Sequence, residues 1–527
     1  MSLGENDKQT LEISIGKKFI QGTEKTKSLY SFARIYKLPE DLCNMNKNAY
    51  IPRLIAIGPF HQNSQNLQNI HMQDIKLDYA NNLFLRLTKG TEDPKIRDEK
   101  KDKALQECLQ KMKECRVKAK KYDTEEKVTL LQKARKYYAE DLNLNDEEMA
   151  EMMLVDGCFI LELLYVSYHT NYCQVQNLNS NRGESGSKSN RTGCEQPRAN
   201  PIFDNLLTAN IVKHDLMLLE NQIPFFVLEH LFHLTVAKIP DRPITGCPHK
   251  LSLEDYINSY FREFCPKYSS RTTNTCCFSP NNDCVLSVRG RRKEIEEGSE
   301  ESGKTDENYH MLHLIHSSYI PCEQGGKNEL GIREISTKHS ELTLSASDLH
   351  YAGVKFVPTR NLSDVKFINK GIFGCRTVKF RIPTLYIRNT TESFLRNVIA
   401  LEQCSPLVPR YFTSYAKLMD MFINSEEDVR VLIKKKVLHN YLSTDKDVCD
   451  LFNKLCKEVV LEDFHFNDEC RNASNFNMHW QTRAVRYVTR LLVASPWPAL
   501  AFCLGIITCA LTVYQFGSSF HKRPFQR

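Results

Sequence analysis

The apolar positions of this chain recur at helical spacing over most of its length and alternate in one stretch. Between Leu67 and Leu87, Ile70, Ile75, Leu77, Leu83 and Leu85 recur near a period of 3.6, which predicts a helix. Lys95 to Tyr122 is rich in charge. Leu105, Cys108, Met112, Cys115 and Ala119 still form a stripe there, so the spacing predicts one long amphipathic helix. Another helix begins at Asp146, where acids crowd the first turn and favour the helix dipole. Asp156 and Glu162 interrupt its apolar run VDGCFILELL, which marks a core helix and not a membrane span. The tetrapeptide from Asn221 to Pro224 separates two buried helical pieces. Ser252 to Phe264 and Tyr309 to Pro321 are further helices.

The character changes between Ser345 and Phe394. AGVKFVP, VKFINKGIFG and VKFRIPTLYI carry β-branched and aromatic residues between turn signals, which predicts a small sheet. Tyr50 to Ile57 reads as a short strand ending in a Gly58-Pro59 turn. Leu395 to about Val460 returns to helical spacing. Residues 1 to about 30 are polar and read as mobile. Gln174–Asn200, rich in Asn, Ser and Gly, and the mixed-charge stretch of about 285–308 read as disordered insertions. There is no internal repeat. The fold class is therefore mainly α (α+β): a multi-helix globular domain over 31–470, with a small β-sheet around 350–390.

The C-terminal pattern differs from all of this. Leu491 to Phe520 contains no Asp, Glu, Lys, Arg or His. About 20 apolar residues suffice to cross a bilayer core of about 30 Å. Trp497 and Tyr514 stand near the ends of the run, as aromatic rings do at the interface. Arg483, Arg486 and Arg490 precede it; Lys522, Arg523 and Arg527 follow it. The expectation is a basic juxtamembrane segment over 471–495, a transmembrane helix over 496–516 and a short tail over 517–527. Gly505, Thr508 and Thr512 offer a small-residue packing face. Cys503 and Cys509 are read as apolar packing.

Composition narrows the function. A net charge of +7 on 527 residues is small and gathers partly in the tail flanks, which argues against a dedicated nucleic-acid binder. The first residues lack an apolar h-region, so the simplest topology is a tail anchor with the bulk of the chain in the cytoplasm. The 19 cysteines then read as free thiols. Sequons at Asn190, Asn361, Asn389 and Asn472 become relevant only on export.

Chemical motifs are few. Gly298 to Thr305 (GSEESGKT) matches the P-loop pattern formally. Glu300 and Glu301 lie inside it and would repel a triphosphate, so it reads as linker. His310, His313 and His316 recur every three residues, a spacing that can hold a metal. They read instead as a surface or partly buried helix face. Cys265, Cys276, Cys277 and Cys284 lack paired zinc-ligand spacing. Asp156 and Glu162, six apart, do not share a helix face and read as buried acceptors of backbone or Arg hydrogen bonds. Glu220, Asn221 and Gln222 read likewise. No catalytic, cofactor-binding or metal residue is assigned.

The blocks IYKLP, AYIPRLIAIGPFH, VDGCFILELL, DLMLLENQIPFFVLEHL, SASDLHYAGVKF, RIPTLYI and NVIALEQC, with the terminal helix, resemble the plant family known as domain of unknown function 247. The resemblance runs from about residue 32 to the C-terminus, apart from the two insertions. It implies a single-pass membrane protein with no catalytic residues to carry over. Some grass members are implicated in self-incompatibility; no block here identifies this chain as one of them. The stretch before AGVKF departs from the family's Thr-Glu-Leu, with Asp348 and His350 in its place. The function expected is a membrane-tethered interaction or recognition protein. Its partners are membrane lipid, through the C-terminal helix, and another protein, not nucleic acid. An enzyme with an unrecognised site is the alternative, and an adaptor a third reading.

Overall fold

The computed structural model describes residues 14–23, 33–62, 70–114, 116–121, 124–180, 200–240, 251–262, 308–320, 345–372, 375–462, 464–478 and 496–521, with a few single positions between. The chain divides into two compact units: Met1–Pro321 with Glu392–Pro409, and Cys322–Thr391 with Arg410–Arg527.

The first unit holds α1 (14–23), α2 (Glu40–Met45), α3 (Ile70–Leu87) and α4 (Pro94–Glu114). A hairpin of β1 (Arg116–Lys121) and β2 (Thr124–Thr129) follows, then α5 (Leu130–Lys136) and α6 (Asp146–Ser180). Next come α7 (Leu206–Asp215), α8 (Phe225–Leu234), α9 (Leu253–Tyr260) and α10 (Met311–Tyr319). Helix α6 is the core element, touching α3, α8 and α9, with Phe159, Ile160, Leu163 and Leu164 buried. At Gly157 an added Cβ would stand 2.4 Å from Leu231 Cδ1, so α8 packs closely on α6 here and any larger residue would have to displace the Leu231 side chain.

Three expectations change here. The helix from Lys95 stops at Glu114, and the chain turns into an antiparallel hairpin with Val117 opposite Val128. The β-branched Val117, Thr124, Val128 and Thr129 favour pleated backbone there, so Ala119 lies in a strand. Within the N-terminal stretch, residues 14–23 form the exposed helix α1. Helix α6 runs to Ser180, into the stretch expected to be disordered from 174. Residues 181–199 and 285–307 lie outside the described residues. Tyr50–Ile57 is not a strand: a 3₁₀ turn over Lys47–Ala49 leads into irregular extended backbone.

The second unit opens with α11 (Ala346–Tyr351), then β3 (Lys355–Thr359), β4 (Lys366–Ile372), β5 (Cys375–Pro383) and β6 (Leu385–Ile387). The chain then forms α12 (Thr391–Cys404), which from Glu392 onward belongs to the first unit. The second unit resumes with α13 (Tyr411–Phe422), α14 (Glu426–Lys434), β7 (Leu438–Asn440), α15 (Asp445–Leu455), α16 (Asn467–Met478) and α17 (Pro496–His521).

The sheet lies where alternation predicts it. Its order is β3-β5-β4, with β3 parallel and β4 antiparallel to β5. Three Val-Lys-Phe triplets bring Phe356, Phe380 and Phe367 into one row across the strands. Phe422 of α13 meets Phe380 edge-on at 5.2 Å, and Phe476 of α16 lies 6.0 Å from Phe367. A second, two-stranded parallel sheet pairs β6 with β7.

Helix α17 starts where expected and continues past 516 to His521. Its stretch Leu500–Ser518 is long and apolar enough to cross a membrane, and none of it is buried. The Thr508 and Thr512 hydroxyls donate to the carbonyls of Gly505 and Thr508 at 2.9 and 2.6 Å, so these polar groups are satisfied within the helix.

Candidate functional site

In the first unit, buried polar side chains converge on the extended segment 53–58. Asp215, at the end of α7, accepts the backbone N–H groups of Arg53, Leu54 and Ile55 at 2.7 to 3.1 Å. Asn221 accepts from Ile57 N at 2.7 Å and donates to Ile55 O at 3.0 Å. Asp156 of α6 accepts from Gly58 N at 2.8 Å and pairs with Lys76, which also donates to Ala56 O at 3.0 Å. Side chains thus do for this segment what a neighbouring strand would otherwise do. Gly58 sits at φ +71°, and a Cβ there would meet Gln222 O at 2.6 Å, so the turn requires glycine.

The other polar residues of the blocks are also engaged. Glu220 accepts from Leu38 N at 2.6 Å, and Gln222 donates to Leu216 O and Leu218 O at 2.8 and 2.9 Å. Glu162 takes both Arg86 Nε, at 2.9 Å, and the guanidinium NH2, at 2.8 Å. Burial pushes the Glu162 carboxyl above its ordinary range, against the pull of Arg86. Asp156 and Glu162 therefore serve separate partners and form no acid–base pair.

One arrangement has the geometry of nucleophilic catalysis. His214 Nδ1 lies 3.0 Å from Asp215 Oδ1, and its Nε2 lies 2.7 Å from Ser393 Oγ on α12. A nucleophile, base and orienting carboxylate stand at such distances. Three details give it a structural role. Ser393 already donates to Ala49 O at 2.6 Å. Asp215 is also engaged by the three backbone N–H groups of Arg53, Leu54 and Ile55. Ser393, His214 and Asp215 are 5%, 2% and 0% exposed, so no substrate reaches Oγ. Sequence reasoning misses this chain because Ser393 stands 179 positions from His214. The adjacent His-Asp dipeptide is the only local signal.

His310, His313 and His316 are buried, at 0%, 9% and 0% exposure, which corrects their reading as a surface or partly buried face. Every residue of α10 from Met311 to His316 is buried, so this part of the helix lies inside the unit. Each imidazole has its own task. His310 caps α10 by accepting from His313 N. His313 stacks on Tyr309 at 4.1 Å, with the Arg34 guanidinium over the same Tyr309 ring at 4.8 Å. His316 Nε2 meets Glu402 Oε1 at 2.8 Å. Burial pushes His310 down to about 3 and holds His313 well below the usual imidazole range, where His310, His316 and Arg34 reinforce it. Among the described residues no cluster of His, Cys, Asp or Glu is arranged to hold a metal.

The P-loop-like Gly298–Thr305 and the Cys265–Cys284 cluster lie outside the described residues. Of the described cysteines, Cys43, Cys108, Cys158, Cys404, Cys449, Cys456, Cys470, Cys503 and Cys509 form no disulfide. Burial pushes the Cys108 and Cys470 thiols up to about 12, so they are poor nucleophiles. Cys173 is disulfide-bonded, and the free-thiol expectation fails there.

Comparison with known proteins places the chain among plant sequences. A family described as "Plant protein of unknown function", domain of unknown function 247, matches residues 35–511. Two Arabidopsis thaliana proteins are similar over nearly the whole chain. UPF0481 protein At3g47200 is 26% identical over 484 residues, 91% of this chain and 85% of its own. The UPF0481 protein At3g02645 is 24% identical over 550 residues, 92% of this chain and 89% of its own. No solved structure matches significantly. The chain belongs to the plant family known as domain of unknown function 247.

Proposed function

We propose that this protein is a membrane-tethered interaction protein, anchored by α17, with its two units in the cytoplasm presenting surfaces to a protein partner. The observation that carries this reading is the contrast between α17 and the rest. An apolar helix is exposed over Leu500–Ser518, while the buried ionisable groups of the family blocks are engaged in holding backbone. Proximity labelling from the full chain in plant membranes is the test. A reproducible neighbour lost on competition with untagged chain supports it. Turnover of a metabolite by the purified chain, with no such neighbour, overturns it.

A second reading, an enzyme at the membrane surface, draws on Ser393, His214 and Asp215. It requires Ser393 to react with a fluorophosphonate. The burial of Ser393 and its bond to Ala49 O predict no labelling. The topology has its own check. Asn389 and Asn472 are exposed, so export would leave glycosidase-sensitive mass on them.

A further inference from the structure

The outer face of the three-stranded sheet carries cations and no acid. Alternation turns the Val-Lys-Phe phenylalanines inward and the lysines outward. Register sets Lys355 beside Lys379 and Arg381 beside Lys366, with Lys370 beside Thr377. Strands β3, β4 and β5 contain no Asp or Glu. Lys355, Lys366, Lys370 and Arg381 are exposed, and none of the five cations has an ion-pair partner among the described residues. The neighbouring Glu469 is occupied at the sheet edge, where it accepts from Phe367 N at 2.6 Å. Like charges directly opposite one another repel. An anionic surface laid on this face relieves a repulsion built into the fold.

We propose that this face docks on anionic phospholipid headgroups of the bilayer that receives α17. The inference rests on the membrane-tether reading above. Reach supports it: β4 packs on α16, which ends at Met478, and α17 begins at Pro496. The 18 positions from 478 to 496 extend at most roughly 60 Å, so the sheet stays near the membrane. That connecting sequence adds Arg483, Arg486 and Arg490 and no acid. Single-stranded nucleic acid fits less well. It is held by aromatic stacking platforms, whereas the residues between these cations are Val357, Ile368, Thr359 and Thr377.

The test uses the full chain in nanodiscs of phosphatidylcholine alone or mixed with phosphatidylserine. Amine-reactive labelling of Lys355, Lys366 and Lys370 is read by mass spectrometry against lysines elsewhere. Each cation near an anionic surface is worth about a fivefold change in binding. Labelling should slow severalfold in the anionic discs and recover at high salt, where screening shortens to about 3 Å. The double variant Lys366→Gln with Arg381→Gln should restore labelling at Lys355 and Lys370 while unfolding no lower than the wild type, since it removes an opposed like-charge pair. Equal labelling in both discs overturns the proposal. So does protection by added polyuridylate but not by phosphatidylserine. Retention in neutral discs at high salt reports the tether separately. A retained chain with equal labelling keeps the tether and loses the docking. Salt-sensitive binding to anionic discs alone keeps the docking and loses the tether.

Discussion

At the scale of single residues, the family blocks encode buried charge whose value lies in being paired. Removing Arg86 strands the Glu162 carboxylate in α6. Arg86→Met should therefore destabilise the first unit by about 3–5 kcal/mol, whereas Arg86→Met with Glu162→Leu should recover most of it. Urea unfolding of both variants checks this, and equal losses would show that the pair is not coupled. His310 and His313 add a pH dependence. Both are held neutral in the folded chain, below the ordinary value of 6.5, so the unfolded chain binds more protons under acid conditions. Stability is full above about pH 6.5 and falls toward pH 3, by up to about 1.4 kcal/mol per pH unit for each histidine. His310→Asn keeps an acceptor at the cap and removes one titration. Its melting temperature should fall less steeply between pH 6.5 and 5 than the wild type's. The sequence made Asp156, Glu162 and Asn221 recognisable as buried acceptors, because a charged residue in an apolar run needs a partner. It hid which backbone they serve, and it hid Ser393, because those partners are far apart in the chain.

At the scale of elements, legibility followed length and repetition. Helices α3, α6 and α17 and the Val-Lys-Phe strands carry many periods of a pattern. Strand β7 has three residues, too few to alternate visibly. The β1–β2 hairpin is hidden within charge that also suits a helix, and segment 53–58 mimics a strand while pairing with side chains. The junction of α11 and α14 shows how short elements are held. The Asp428 carboxylate accepts from Ser347 N at 2.8 Å, Ser425 N at 2.9 Å and Asn424 N at 3.2 Å. Burial works to raise its pKa, but hydrogen bonds from Ser345, Ser347 and Ser425 win and hold it below the ordinary value. Asp428→Ala should cost about 2–4 kcal/mol, because it leaves several N–H donors near these helix starts without an acceptor. Asp428→Asn should lose less, and its gap to wild type should close below about pH 3.8, where the unfolded carboxyl also protonates. Chemical unfolding at pH 7 and pH 3 distinguishes these outcomes.

At the scale of the molecule, the proposed tether makes α17 the element that holds everything else in place. Removal of residues 496–521 should release the chain into the soluble fraction, and the intact chain should resist alkaline carbonate extraction; recovery of intact chain in the carbonate supernatant would count against a span. The length of that helix has a further consequence, for bilayer thickness. The stretch Leu500–Ser518 has 19 residues and, at a rise of about 1.5 Å each, reaches about 28 Å. Hydrocarbon cores of the endoplasmic reticulum are about 27 Å thick, and sterol-rich plasma membranes about 32 Å. As the proposed anchor, this stretch would therefore lie flush in the thinner membrane. In the thicker one it would have to draw the leaflets inward or pull its flanking residues below the headgroups. Either distortion is a small free-energy gradient favouring retention in thin membranes, one that lengthening the apolar run by a single turn would abolish.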